Sequence, residues 1–103
     1  MKHAGPRALE ALEPALEALR TVPGLVERKR GIFYRGGTAF LHFHEDPGGL
    51  FADLRSGADF ERYAVNTKAE VAHLLSAVRA RAASSPHGER RRDAQMGRPL
   101  KDR

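Results

Sequence analysis

The 103-residue chain contains no cysteine, and this absence excludes several kinds of chemistry. Disulfide bonds, thiolate catalysis and cysteine-ligated zinc all require a thiol. No uninterrupted apolar run approaches the roughly 18 residues that cross a membrane, and the first residues lack the apolar core of a secretory signal. We therefore expect one cytoplasmic domain without membrane contacts, whose stability comes from side-chain packing.

The chain also lacks the motifs that would assign an enzymatic activity. The glycine pairs at residues 36–37 and 48–49 are not followed by the Gly-Lys-Ser/Thr of a phosphate-binding loop. The hydroxyl groups closest in sequence to the histidines, Thr38 and Ser56, lie at predicted strand ends with no nucleophile elbow around them. A catalytic set needs an assignable nucleophile, base and orienting group, so we expect a noncatalytic protein.

Positive charge is concentrated at the end of the chain. The formal net charge is +5, and residues 84–103 hold six basic residues against three acidic ones. These residues have no apolar periodicity, so we predict a disordered basic tail after a single domain of residues 1–83. Nucleic acid would then be bound only weakly and without sequence preference, through contacts between the tail and phosphate groups.

Two stretches carry the apolar periodicity of amphipathic helices. Residues 6–20 place leucines three and four positions apart, although Pro14 either kinks this helix or marks the start of its ordered part. A second helix should run from Thr67 to about residue 83. There Thr67 can accept a hydrogen bond from the Glu70 amide, and the Glu70 carboxylate can reach back to the Thr67 amide.

Between the helices, alternating apolar and polar residues predict four strands near 25–34, 38–45, 49–55 and 60–65. Short glycine-containing turns join them, so neighbouring strands should be antiparallel. Gly31 indicates a bulge or a break in the first strand. We therefore predict an α+β fold, a four-stranded antiparallel meander sheet with an N-terminal and a C-terminal amphipathic helix packed on one face.

The hairpin at residues 38–55 places the most reactive side chains of the chain on one sheet face. Side chains alternate between the two faces along a strand, so the face opposite the predicted core combines aromatic, imidazole and charged groups. Its members are Phe40, His42, His44, Phe51, Asp53 and Arg55. We expect ligand binding or a subunit contact at these residues.

The separation of His42 and His44 by one residue is a spacing that metal ligands use on a strand. Zinc or iron would need a third ligand such as Asp53 or Glu45, and a hydrogen bond between His44 and Asp53 would use the same groups without a metal. Histidines that are hydrogen-bonded to their neighbours are the more common arrangement. We therefore predict no metal and no cofactor, and a metal-dependent enzyme would be centred on His42, His44 and Asp53.

The segments FLHFHED and GLFADLR, preceded by LVER and followed by FERYAVNT, resemble the core of small uncharacterised bacterial proteins built as helix, antiparallel meander and helix. The resemblance covers residues 8–82 and implies this fold, but it assigns no activity and no functional residue.

One sheet face of the predicted fold carries phenylalanines and is left uncovered by the helices. We therefore expect a noncatalytic module that binds a small molecule or a protein and forms a homodimer through that face. The alternatives are a metal-dependent enzyme and a nonspecific nucleic-acid-binding protein.

Overall fold

The computed structural model describes residues 2–83, and the predicted tail at 84–103 lies outside the described residues. The described chain is α+β, with helices before and after an antiparallel sheet, as expected. In chain order the elements are β1 (Lys2–His3), α1 (Pro6–Ala11), α2 (Glu13–Arg20), β2 (Leu25–Lys29), β3 (Ile32–Arg35), β4 (Thr38–Asp46), β5 (Gly49–Ser56), β6 (Asp59–Ala64) and α3 (Lys68–Ala82). No helix within residues 2–83 has the length and apolar character needed to cross a membrane.

Within residues 2–83 the sheet has six strands rather than the predicted four. Strands β2 to β6 follow one another as an antiparallel meander, and β1 pairs with β4 beyond the end of β3. The predicted strand at 25–34 is two strands, because the chain turns between Lys29 and Ile32, where Gly31 has a φ of +82°. A residue with a Cβ adopts this left-handed conformation only at a cost, so glycine favours the turn.

A bulge at Phe40 changes the face assignment at the start of β4. The register of β3 against β4 skips one residue at this point, and Phe40 has no cross-strand partner in that pairing. Phe40 is only 5% exposed and belongs to the main hydrophobic core. The prediction that Phe40 shares a face with His42 and His44 is therefore wrong, because one extra residue in a strand resets the alternation.

Pro14 divides the first helical region into α1 and α2. It occupies the second position of α2, where its missing N–H removes no helical hydrogen bond. Leu12 joins the two helices, since its N–H donates to the Ala8 carbonyl at 3.0 Å and its carbonyl accepts from the Leu16 amide at 3.0 Å. The residues before Pro14 are thus helical, so the alternative in which the ordered helix begins at Pro14 is wrong, and the helical region is interrupted at Leu12.

Thr67 caps α3 as predicted. Its Oγ1 accepts a hydrogen bond from the Glu70 amide at 3.1 Å. The return contact is displaced by one residue, because Glu70 Oε1 accepts from the amide of Asn66, at 2.8 Å, and not from that of Thr67. One half of the predicted capping box is therefore confirmed, and the other half satisfies the neighbouring amide.

The core lies between the helices and one face of the sheet. Leu9 of α1 packs against it, so the three helices of residues 2–83 all contribute to the same layer. The opposite face of the sheet carries the alternate residues of β4 and β5. The largest fully buried side chains are Phe33, Phe43, Leu16, Leu19, Leu41, Leu54, Leu74 and Val78.

Candidate metal centre

The sheet face opposite the helices collects polar side chains because its central strands pair in regular register. His42 lies opposite Asp53 on β5, and Asp53 lies opposite Arg62 on β6. On the other side of β4, the short strand β1 places His3 opposite His44. Directly paired residues share a sheet face, so these five side chains lie on one surface.

Three imidazole rings form a compact cluster on this face. One ring nitrogen from each of His3, His42 and His44 lies within 4.8 Å of the other two. His42 Nδ1 and His44 Nε2 lie 2.6 Å apart. The centroid of the His44 ring is 5.0 Å from that of His3 and 4.7 Å from that of His42. Because a neutral imidazole carries one proton on two nitrogens, the cluster concentrates unshared lone pairs in a small volume.

Asp53 is a buried carboxylate beside the cluster. It is 8% exposed, and its Oδ2 lies 3.2 Å from His44 Nε2. Arg62 binds both of its oxygens, since Nε donates to Oδ1 at 2.9 Å and Nη2 donates to Oδ2 at 3.1 Å. This two-point contact fixes the plane of the carboxylate and keeps Oδ2 beside His44.

Burial determines the protonation of the two histidines on β4. Removal from water lowers the pKa of His42, and the neighbouring His44 lowers it further. Burial is also the main cause of the lowered pKa of His44, against the opposing influence of the Asp53 carboxylate. Burial alone would raise the pKa of Asp53, but the hydrogen bonds and charge of Arg62 outweigh it and the pKa is lowered. Near neutral pH the two histidines on β4 are therefore neutral and lie beside an ionised carboxylate, and these are the states that bind metal ions.

His44 carries one unsatisfied polar atom. Within the part of the chain that the structure describes, its Nδ1 is buried and has no hydrogen-bond partner, although the backbone of Lys2 lies close enough to favour the protonated ring. A buried polar atom without a partner is rare in native proteins and requires an explanation. If Nε2 serves as a metal ligand, Nδ1 carries the proton, and the carbonyl of Lys2 on β1 can then accept it.

The other predicted site residues flank the cluster. Phe51 is half-buried and lies opposite His44 across the β4–β5 pairing. Arg55 donates its Nε to a backbone carbonyl of β4 at 2.5 Å, and its guanidinium lies over the ring of Phe60 at 4.7 Å. Phe40, in the core, is the one predicted member that the fold removes from this face.

Sequence reasoning missed His3 and Arg62. His3 lies in a two-residue strand, which is too short to show alternation. Glu45, one of the two third ligands considered, instead accepts the amide of Gly5 at 2.5 Å. The signal for Arg62 was present, because a tight hairpin between the last two predicted strands places this residue opposite Asp53.

Comparison with protein-family models, with curated proteins and with solved structures found no match to this chain. The resemblance to small bacterial proteins therefore stays a prediction, and the function has to be argued from the geometry of the site itself.

Proposed function

We propose that this protein binds one divalent transition-metal ion through His3, His42 and His44. The observation that carries the proposal is the mutual approach of three ring nitrogens, each within 4.8 Å of the other two, on one sheet face. Imidazole nitrogen is a ligand for zinc, copper, iron and nickel. The third histidine supplies the ligand that sequence reasoning could not assign, so this proposal replaces the expectation of no metal.

The cluster is close to the size that one such ion requires. Zinc–nitrogen bonds of about 2.0–2.1 Å put neighbouring ligand atoms of a tetrahedral site about 3.3–3.4 Å apart. His42 Nδ1 and His44 Nε2, which are 2.6 Å apart, would separate by about 0.7–0.8 Å on binding, and ring nitrogens up to 4.8 Å apart would approach by about 1.5 Å at most. His3 is exposed, so its ring can move toward the ion without disturbing the core.

Zinc titration of tag-free protein tests the proposal. After chelator treatment, calorimetry should find one zinc ion per wild-type chain. His42→Ala and His44→Ala should each weaken binding by at least about 100-fold, because loss of outer-shell groups alone costs about 10- to 100-fold. His73→Ala is the matched control, since this exposed imidazole lies on α3 beside Tyr63. Equal binding by all of these proteins, or no binding by the wild type, would refute the proposal.

A second candidate function, homodimerisation through the same sheet face, is supported by exposed apolar side chains. Among residues 2–83, Phe60 and Val26 are the large hydrophobic residues that remain exposed, at 38% and 57%. Phe60 packs beside His42, with ring centroids 4.8 Å apart. Since Phe40 is buried, Phe60 is the aromatic anchor that a protein-interaction module would use here.

Sedimentation velocity at micromolar concentration, with zinc and with chelator, tests this second candidate. Phe60→Glu should convert a dimer to a monomer. Ala80→Glu adds the same charge at an exposed position of α3 and should leave the dimer intact. A wild type that is monomeric under both conditions would exclude homodimerisation and leave the metal proposal standing.

A further inference from the structure

We infer that Asp53 is the fourth ligand of the bound ion and that Arg62 is the residue that positions it. The inference rests on the proposed function, because it concerns the ion held by the three histidines. It gives that ion a closed set of three nitrogen ligands and one oxygen ligand. Four protein ligands of these types hold zinc in a tetrahedral arrangement.

The separation of Asp53 and His44 fits two ligands of one ion. Bonds of about 2.0–2.1 Å in a tetrahedral site put neighbouring ligand atoms about 3.3–3.4 Å apart. Asp53 Oδ2 lies 3.2 Å from His44 Nε2, so the carboxylate oxygen already stands close to that separation. Asp53 also lies directly opposite His42 in the β4–β5 pairing, which places it on the same face as both histidines of β4.

His44 Nε2 has two polar neighbours and one position for a hydrogen. His42 Nδ1 lies at 2.6 Å and Asp53 Oδ2 at 3.2 Å. An unprotonated Nε2 can accept a hydrogen bond from a protonated His42 Nδ1, but its lone pair then faces the carboxylate, whereas a protonated Nε2 has one hydrogen for two acceptors. A cation bound to all three atoms gives each lone pair a partner.

Arg62 restricts Asp53 to one ligand atom. Its guanidinium donates to both carboxylate oxygens, and the rigid fork holds the carboxylate in a fixed plane. Oδ2 is the oxygen that contacts His44, so the carboxylate would bind the ion through this oxygen alone. The side chain of Arg62 is 51% exposed, and a change there disturbs the site without removing core packing.

A complete tetrahedral set has a functional consequence. Catalytic zinc sites keep one position for water or substrate, whereas sites with four protein ligands hold the ion. The inferred ligands therefore favour a structural or storage role for the bound ion over metal-dependent hydrolysis. They also favour zinc over copper(II), which prefers a tetragonal arrangement.

Cobalt(II) is a suitable probe, because four-coordinate cobalt(II) absorbs visible light much more strongly than six-coordinate cobalt(II). Tag-free wild-type protein should give the strong four-coordinate spectrum with one equivalent of cobalt. Asp53→Asn should lower this absorbance and weaken zinc binding by at least about tenfold, and Arg62→Gln should weaken it by about 10- to 100-fold. Asp59→Asn, which removes an exposed carboxylate at the start of β6, should behave as the wild type.

The outcomes separate this inference from the proposed function. An Asp53→Asn protein with wild-type zinc affinity and an unchanged cobalt spectrum would overturn the inference while the three-histidine site stands. Unchanged affinity and spectrum in Arg62→Gln would overturn the positioning role, and absence of zinc binding in the wild type would refute both proposals. If Asp53→Asn does not fold, a crystal structure of the zinc-bound wild type decides, because an Asp53 Oδ2–zinc distance of about 2.0–2.2 Å would support the inferred set and a water in that position would contradict it.

Discussion

His3 and His44 face each other across the antiparallel pairing of β1 and β4, with ring centroids 5.0 Å apart. The strand β1 has only two residues, and the next amide, that of Ala4, donates to the Phe43 carbonyl at 3.1 Å. A strand this short makes few contacts and opens at little cost in free energy. An ion shared between β1 and β4 would therefore connect the order of the first residues to metal binding.

We expect zinc to slow hydrogen exchange at the Ala4 amide. Zinc at 100 times its Kd stabilises the bound state by about 2.7 kcal/mol, which gives roughly 100-fold slower exchange if opening of β1 releases the ion. Exchange followed by NMR measures this directly. His3→Ala should abolish the zinc effect and His73→Ala should retain it. If a wild type that binds zinc exchanges at the same rate with and without it, β1 is not coupled to the metal.

Gly31 and Gly37 form a matched pair, because both have a φ of +82°. A Cβ at Gly31 would lie 2.6 Å from Leu9 Cδ2, whereas a Cβ at Gly37 would meet no atom of residues 2–83 within 4 Å. Left-handed backbone costs a residue with a Cβ about 1–2 kcal/mol. Gly37→Ala should lower the free energy of unfolding by that amount, and Gly31→Ala should lower it further, because Leu9 of α1 has to move.

Urea denaturation of both variants measures the difference. The Leu9→Ala change provides the control, since in a double-mutant cycle with Gly31→Ala it should recover the excess loss. Equal losses in Gly31→Ala and Gly37→Ala would mean that Leu9 moves aside without cost.

The alternation of side chains along a strand predicted the sheet face of each residue correctly where the strand pairing is regular. The shared face of His42 and Asp53 follows from a β4–β5 register that runs without interruption from Leu41 to Asp46. The same reasoning failed at Phe40, because a sequence does not show where a strand carries one unpaired residue. The position of a bulge depends on packing between elements of structure. Here the bulge lets the Phe40 side chain fill space in the core.

The third histidine depended on tertiary structure. A strand of two residues shows no alternation, so β1 could not be predicted from the sequence. His3 reaches the site because β3 leaves part of β4 unpaired, and β1 pairs there. Gly31 did indicate an interruption, but it could not distinguish a bulge within one strand from a turn between two. The sequence therefore predicted two members of the candidate cluster and could not predict the one that completes it.

Thr67→Ala should lower the free energy of unfolding by about 1 kcal/mol, because it removes the oxygen that accepts the Glu70 amide at the start of α3. Lys68→Ala changes the next, exposed position and should have a smaller effect. Chemical denaturation of the two variants makes the comparison. An unchanged midpoint for Thr67→Ala would show that this cap does not contribute to stability.

Glu27 stabilises the turn between β2 and β3 through its carboxylate. Oε1 accepts from Arg20 Nε at 2.5 Å, and Oε2 accepts from the Gly31 amide at 3.0 Å. The hydrogen bond from Arg20 is the main cause that lowers the pKa of Glu27 below its ordinary value of 4.5, and it outweighs the effect of burial. The carboxylate is therefore bound more favourably in the folded chain when it is ionised.

Glu27→Gln should lower the free energy of unfolding by about 1 kcal/mol near neutral pH, where the charged hydrogen bonds are present. A carboxyl group whose pKa is depressed by folding adds stability above its unfolded pKa and loses that stability as the pH falls through its folded pKa. The difference between wild type and Glu27→Gln should thus be complete above about pH 5.5 and shrink as the pH falls below about 4.5. Thermal or urea unfolding across this range measures it, with Glu17→Gln on the exposed side of α2 as the control. A difference that stays constant down to acid pH would show that the side chain contributes through packing and not through its charge.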